Sequence, residues 1–211
     1  MSKRPFIYFD MGNVLLTFSH QLAAKQAAEL CGISEKLAWQ ILFDEGLHWE
    51  YERGELAEEE FLGRFCQRAS SECDFAAPDP NSFDLAASAI FELNTRILPI
   101  LYSLRGAGYD MGVLSNTTSA HWRYCTRKFP FLIGLFSRHT LSFQIGAMKP
   151  SATVYERATE IAGVRPQEIL FFDDRPENIS AASSLGWDAV LFTTPAAAAM
   201  ELARRGIMTN Y

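Results

Sequence analysis

The chain lacks a cysteine framework: among 211 residues its four cysteines, Cys31, Cys66, Cys73 and Cys125, are scattered with no C-x-x-C pair. That excludes the common zinc-ribbon spacings and favours free thiols in a reducing compartment over secreted disulfides. Basic runs are also missing, and 19 Lys and Arg against 25 Asp and Glu leave a net charge of −6. Nucleic-acid or anionic-membrane partners are therefore disfavoured, because such binding rests on clustered cations. No uninterrupted apolar run approaches the roughly 18 residues of a membrane span. The apolar stretch near the start is broken by Asp10, Gly12 and Asn13, which argues against a signal peptide. A cytoplasmic location is the expectation. Internal repeats are absent too, and only the alanine run at 196–199 is low in complexity.

What is present suits a globular chain. Hydrophobic residues make up 48% and charged residues 21%, enough apolar material for a sizeable core in one domain carrying an inserted smaller one. Residues 6–9 form a short apolar run that reads as a buried strand ending at Asp10, and Met11, Gly12 and Asn13 are turn chemistry. From about His20 to Leu93 the spacing is helical throughout. After Pro99 the rhythm changes to alternation, with strands expected over 111–114, near 139–143, over 169–172 and over 189–192. Each is followed by a helical segment. This order predicts an α/β fold, a doubly wound parallel sheet built from residues 1–16 and 94–211, with residues 17–93 inserted as a helical cap.

In such a sheet, ligands bind beyond the carboxyl ends of the strands. Four polar clusters fall there: Asp10, then Ser115 and Asn116, then Lys149, then Asp173 and Asp174. Singly, each has a plain structural explanation as a cap, a turn or an exposed loop. Adjacent acids after an apolar strand are the exception, because like charges repel unless a cation sits between them. An anionic substrate is compatible with the negative net charge, since one lysine and a metal ion reverse the field locally.

The segments FDMGNVL (residues 9–15), VLSNTT (113–118), GAMKP (146–150) and FFDDRPENI (171–179) carry these clusters in order and in register. Together they resemble the haloacid dehalogenase superfamily, and within it the bacterial sugar phosphatases whose first motif is aspartate-x-glycine-asparagine, some of which act on α-glucose 1-phosphate. The segment at 48–61 is similar to the cap of that branch. The resemblance implies a Rossmann-like core and a phosphatase that hydrolyses a small phosphorylated metabolite. Asp10 would be the nucleophile, forming an aspartyl-phosphate. It implies Mg²⁺ held by the Asp10 carboxylate, the Gly12 carbonyl and Asp174, with Asp173 behind it. Ser115 and Asn116 would bind phosphoryl oxygens, and Lys149 would neutralise charge on both the nucleophile and the phosphate.

One departure stands out. Most phosphatases of this superfamily carry a second aspartate two residues after the nucleophile, as general acid and base; here that residue is Gly12. Losing a general acid costs about 10² to 10⁴ in rate. A cap residue could substitute, His48 or Glu52 being nearest; the substrate could need less help; or the protein could be catalytically silent, a binding or regulatory relative. The reading adopted is a substrate needing less help, a sugar 1-phosphate, which leaves as a hemiacetal oxygen. Dehalogenases of the superfamily are the rival enzyme, disfavoured by the paired acids. In the cap, Arg53 is the candidate for specificity, while Trp39, Phe43 and Trp49 read as core before sugar platforms. His20, His121 and His139 lack metal-ligand spacing and read as structural or surface, and Arg123, Arg127 and Lys128 as an exposed helix face.

Overall fold

A computed structural model describes residues 4–211; the first three residues of the expected core segment lie outside that range. In chain order come β1 (Phe6–Phe9), β2 (Leu16–Phe18), and the helices α1 (His20–Cys31), α2 (Glu35–Trp39), α3 (Leu47–Glu52), α4 (Glu58–Ser70) and α5 (Pro80–Ser88). Then follow β3 (Phe91–Leu93), α6 (Leu98–Gly106), β4 (Met111–Ser115), α7 (Ser119–Lys128), α8 (Phe131–Gly134), β5 (Arg138–Leu141) and α9 (Ser142–Ile145). The chain closes with α10 (Ala152–Ala162), β6 (Ile169–Asp173), α11 (Pro176–Ser184), β7 (Asp188–Leu191) and α12 (Pro195–Arg204).

Five strands form one parallel sheet in the order β5-β4-β1-β6-β7. Successive side chains of a strand alternate between faces, and here both faces are covered. Ile7, Phe9, Met111, Val113, Leu170 and Phe172 pack into one cluster, and Phe6, Tyr8, Leu114, Ile169 and Phe171 into another. Burial on both sides is why these strands read as continuous apolar runs. Connections from β1 run first to β4 and β5 on one side, then cross to β6 and β7 on the other. β1 therefore sits at the switch point, where a crevice opens at the strand ends.

Backbone chemistry sets the helix starts. Ser19 Oγ accepts from the Leu22 N–H at 3.2 Å, and Thr118 Oγ1 from the His121 N–H at 3.1 Å, each occupying one donor that a helix start leaves open. The end of α1 turns at Gly32, whose φ of 67° suits a residue without Cβ.

The segment from His20 to Leu93 is not helical throughout, as its spacing predicts, because β3 lies at its end. β2 and β3 pair antiparallel, Leu16 with Leu93 and Phe18 with Phe91, as a two-stranded ribbon where the helical insertion begins and ends. At the ribbon's far side the inserted helices are fastened to the core. The Ser142 hydroxyl donates to the Glu52 carbonyl at 2.6 Å. Gly54 (φ 72°) lies so close to α9 that a Cβ there would stand 2.3 Å from the Phe143 carbonyl oxygen.

Gly112 is the tightest point in the sheet. A Cβ added to it would lie 2.5 Å from Tyr8 Cε1 and 2.9 Å from Phe6 Cε1. Gly112→Ala is expected to destabilise the fold by about 1–3 kcal/mol through overpacking, read as a lowered urea midpoint with an unchanged slope.

Candidate active site

Asp10 follows β1, and its N–H donates to the Phe172 carbonyl on β6 at 2.9 Å, carrying the ladder one step beyond the strand. Its carboxylate Oδ1 accepts from the Met11 N–H at 2.7 Å and lies 2.9 Å from Lys149 Nζ. Both of these contacts fall on Oδ1. Lys149 Nζ donates in addition to Asp173 Oδ2 at 2.6 Å and to the Leu114 carbonyl at 3.0 Å. The ammonium's three protons thus have three acceptors, in a position only 4% exposed.

Asp173 is completely buried and its oxygens are taken: Oδ2 by Lys149, Oδ1 by the Arg175 N–H and the Asn178 amide, both at 2.9 Å. Asp174 turns the other way and accepts from Asn13 Nδ2 at 3.0 Å. Asn13 reaches it from a left-handed turn, φ 55°. Asp10, Asp173 and Asp174 each offer an oxygen, all within 4.8 Å of one another. Hard carboxylate oxygens so spaced suit a divalent cation such as Mg²⁺. Asp173 is saturated by its neighbours, so Asp10 and Asp174 have the donor capacity to hold such an ion directly.

The remaining sequence-selected residues divide in two. Asn116 lies on the cavity wall and clamps Lys149, accepting from its N–H at 2.8 Å and donating to its carbonyl at 3.1 Å. Ser115 is buried at the end of β4, donates to the Asn116 carbonyl at 3.1 Å, and does not line the cavity.

That cavity, of about 120 Å³, is bounded by Asp10, Gly12, Asn116, Lys149 and Asp174 from the core and by His20, Trp49 and Glu52 from the inserted helices. A wider groove of about 380 Å³ lies on the insertion's outer surface, where Arg64 pairs with Glu50 and Arg68 with Glu45. Its charges satisfy each other, and the smaller cavity, where Asp10, Asn116, Lys149 and Asp174 meet, is the candidate site. His20 was expected at the surface or in a structural role; it reaches the wall because β2 delivers α1 directly over Asp10. Neither does Arg53 approach the cavity: it pairs with Glu55 at 2.7 Å. Arg123, expected on an exposed face, holds Glu58 through two 2.9 Å hydrogen bonds and Asp84 at 2.5 Å.

Behind the wall lies a buried cluster of rings and one acid. His48 Nε2 stands 3.5 Å from Glu52 Oε1, one helical turn along α3. His20 and His121 flank His48, with ring centroids at 5.4 and 5.5 Å. Burial pushes His20 down to about 4 and His121 to about 3, each helped by the neighbouring His48. Asp10 moves the other way, raised to about 7 by burial and by Asp173, against the pull of Lys149. Lys149 is depressed by burial but more strongly raised by Asp10 and Asp173, so it stays charged.

The profile of haloacid dehalogenase-like hydrolases matches residues 7–186. Over 191 residues the chain is 26% identical to the D-ribitol-5-phosphate phosphatase of Bacteroides thetaiotaomicron, covering 86% of this chain and 88% of that protein. Over 195 residues it is 28% identical to the drimenol cyclase drtB of Aspergillus calidoustus, covering 88% of this chain but only 33% of that longer protein. A haloacid dehalogenase family enzyme of B. thetaiotaomicron, crystallised with magnesium and inorganic phosphate, superposes with a TM-score of 0.76. The match spans 90% of this chain and 95% of that one at 23% identity.

The histidine cluster sets an acid limit on stability. Folded His121 and His20 bind protons more weakly than the ordinary 6.5, so their contribution is complete above about 6.5 and is lost as pH falls toward 3. His121→Gln is expected to flatten the loss of stability between pH 7 and 4, measured by urea midpoints across that range.

Proposed function

Because the chain belongs to the haloacid dehalogenase-like hydrolases, we propose that it is a Mg²⁺-dependent phosphatase of small phosphorylated metabolites. The observation that carries this reading is the convergence of three carboxylates, two of them paired with one buried ammonium. Such a centre suits a tri-oxygen anion and a divalent cation together. A site that displaces halide from carbon has no use for the second adjacent acid.

In this reading the Asp10 Oδ2 attacks phosphorus and forms an aspartyl-phosphate, which water then hydrolyses. The Asp10 and Asp174 carboxylates and the Gly12 carbonyl would hold Mg²⁺, which when bound supplies charge stabilisation for the transferring phosphoryl group. Lys149 opposes the burial that raises Asp10 and shares the incoming negative charge. Asn116 holds Lys149 in register and frames the phosphoryl oxygens, while Ser115, expected to bind them, is turned onto the Asn116 carbonyl and supports that loop from behind the cavity. Asp173 anchors Lys149 and, through the Asn178 amide and the Arg175 N–H, the start of α11. The helical segment 17–93 acts as the cap that excludes water from this chemistry.

Cavity size supports a small substrate, since drug-sized ligands occupy about 300–1,000 Å³ and this space is about 120 Å³. Sugar or polyol phosphates fit that limit, as does the named activity of the ribitol-phosphate relative. No helix among the described residues is long and apolar enough to cross a membrane, and a cytoplasmic enzyme is the proposal.

A screen of phosphorylated metabolites with Mg²⁺ and with EDTA tests the reading. Turnover is expected only with Mg²⁺, and Asp10→Asn is expected to abolish it. Halide release from 2-haloacids, or no turnover at all, would favour the dehalogenase or silent-binder readings. Among sugar esters, glucose 1-phosphate is expected to turn over faster than glucose 6-phosphate at matched concentration, because its leaving oxygen demands less of a proton donor.

A further inference from the structure

An alcohol leaving a phosphate ester must acquire a proton, and the group supplying it must touch the departing oxygen. The ionisable side chains on the cavity wall, among the described residues, are Asp10, Asp174, Lys149, Arg175, His20 and Glu52. Asp10 and Asp174 face phosphorus and cation. Lys149 is locked among Asp10, Asp173 and the Leu114 carbonyl. Arg175 pairs with Glu177 and does not give up a proton. His20 is held neutral by its burial. Glu52 is what is left.

Glu52 is also built into place. It is 7% exposed, and its backbone carbonyl is tied to the core by Ser142. The close approach of Gly54 to Phe143 follows two residues later. Its carboxylate faces His48, whose Nε2 is buried with no hydrogen-bond partner and has the Glu52 oxygen, at 3.5 Å, as its ion-pair neighbour. Phe43 and Trp49 pack on the remaining sides of His48, with His20 and His121 completing the cage. A fixed negative charge on the wall of a phosphate cavity would only repel substrate. A carboxylate that shares one proton with an imidazole would not. Burial pushes Glu52 up, but His48, His121 and His20 outweigh it and hold it below the ordinary carboxylate range. Glu52 lines the cavity and lies beside the His48 imidazole, placed to pass a proton between the two.

We propose that Glu52, partnered by His48, is the proton-transfer residue of this site. As the bond from Asp10 to phosphorus forms, the electron pair of the breaking ester bond goes to the leaving oxygen, which takes the proton from the Glu52–His48 pair. In the second step a water oxygen attacks phosphorus, its proton passes to the pair, and the bond to Asp10 breaks to restore the carboxylate. Ester and water become alcohol and inorganic phosphate, and the pair ends as it began.

This rests on the phosphatase reading, and the experiment separates the two. Wild type, Glu52→Gln and His48→Gln are compared, with Mg²⁺, on 4-nitrophenyl phosphate and on the best alkyl ester from the metabolite screen. Release of the alcohol is followed in the first turnover. Nitrophenolate departs without a proton, so Glu52→Gln is expected to lose about 10² or more on the alkyl ester and less than about tenfold on the aryl ester. His48→Gln is expected to show the same split, smaller, with its pH optimum displaced, and carries the test should Glu52→Gln not fold. Equal losses on both esters, or none on the alkyl ester, overturn the assignment of Glu52 while leaving the phosphatase intact. A wild type without Mg²⁺-dependent turnover overturns both.

Discussion

The rest of the site depends on one ammonium group removed from water. Lys149 lies between Asp10 and Asp173 with its third proton on a main-chain carbonyl. Isolated, any of these charges would be expensive to bury. Together they form a closed set in which each member's position is set by the others, and the strand ends that carry them are fixed by the sheet. The order β4-β1-β6 puts Ser115, Asp10 and Asp173 side by side. The loop bearing Lys149 is then drawn over them by Asn116. Asp10 and Asp173 already outnumber the single lysine and Asp174 adds a third carboxylate, and that surplus of negative charge is what makes a cation at home here.

Much of this was legible before any coordinates. The core strands announce themselves as unbroken apolar runs because helices cover both faces of the sheet. The acids and the asparagine stand at their ends because that is where a parallel sheet opens, while Lys149, expected just after a strand, comes from the loop beyond α9. The ribbon of β2 and β3 was not legible. Three-residue strands such as Leu16–Phe18 and Phe91–Leu93 are too short to show a period, and the pairing that defines them spans more than seventy residues. His20 was missed for the same reason. Its place over Asp10 comes from that ribbon and not from any spacing in α1. Arg123 illustrates a different blindness: a helical face rich in cations looks solvated until Glu58 and Asp84, on two other helices, are brought against it.

The two halves of the cavity differ in their electrostatics. On the core side, three carboxylates crowd a cavity that holds one buried lysine. On the side of the inserted helices, burial keeps His20 and His121 neutral, and a single carboxylate is set among imidazoles. Ester hydrolysis needs both characters, a fixed field for phosphorus and a mobile proton for the leaving oxygen. Dividing them between two structural units lets either change without dismantling the other.

Phe18 gives the glycine at position 12 a steric role as well as a chemical one. A Cβ at Gly12 would stand 2.7 Å from the Phe18 ring, which in turn packs on His20 and Phe91. Restoring an acid at that position is therefore not one mutational step. The ring must first shrink or turn, and doing so loosens the ribbon and the wall that His20 completes. With this ring in place an acid at position 12 meets a packing barrier, and a proton donor is more readily accommodated on the opposite wall.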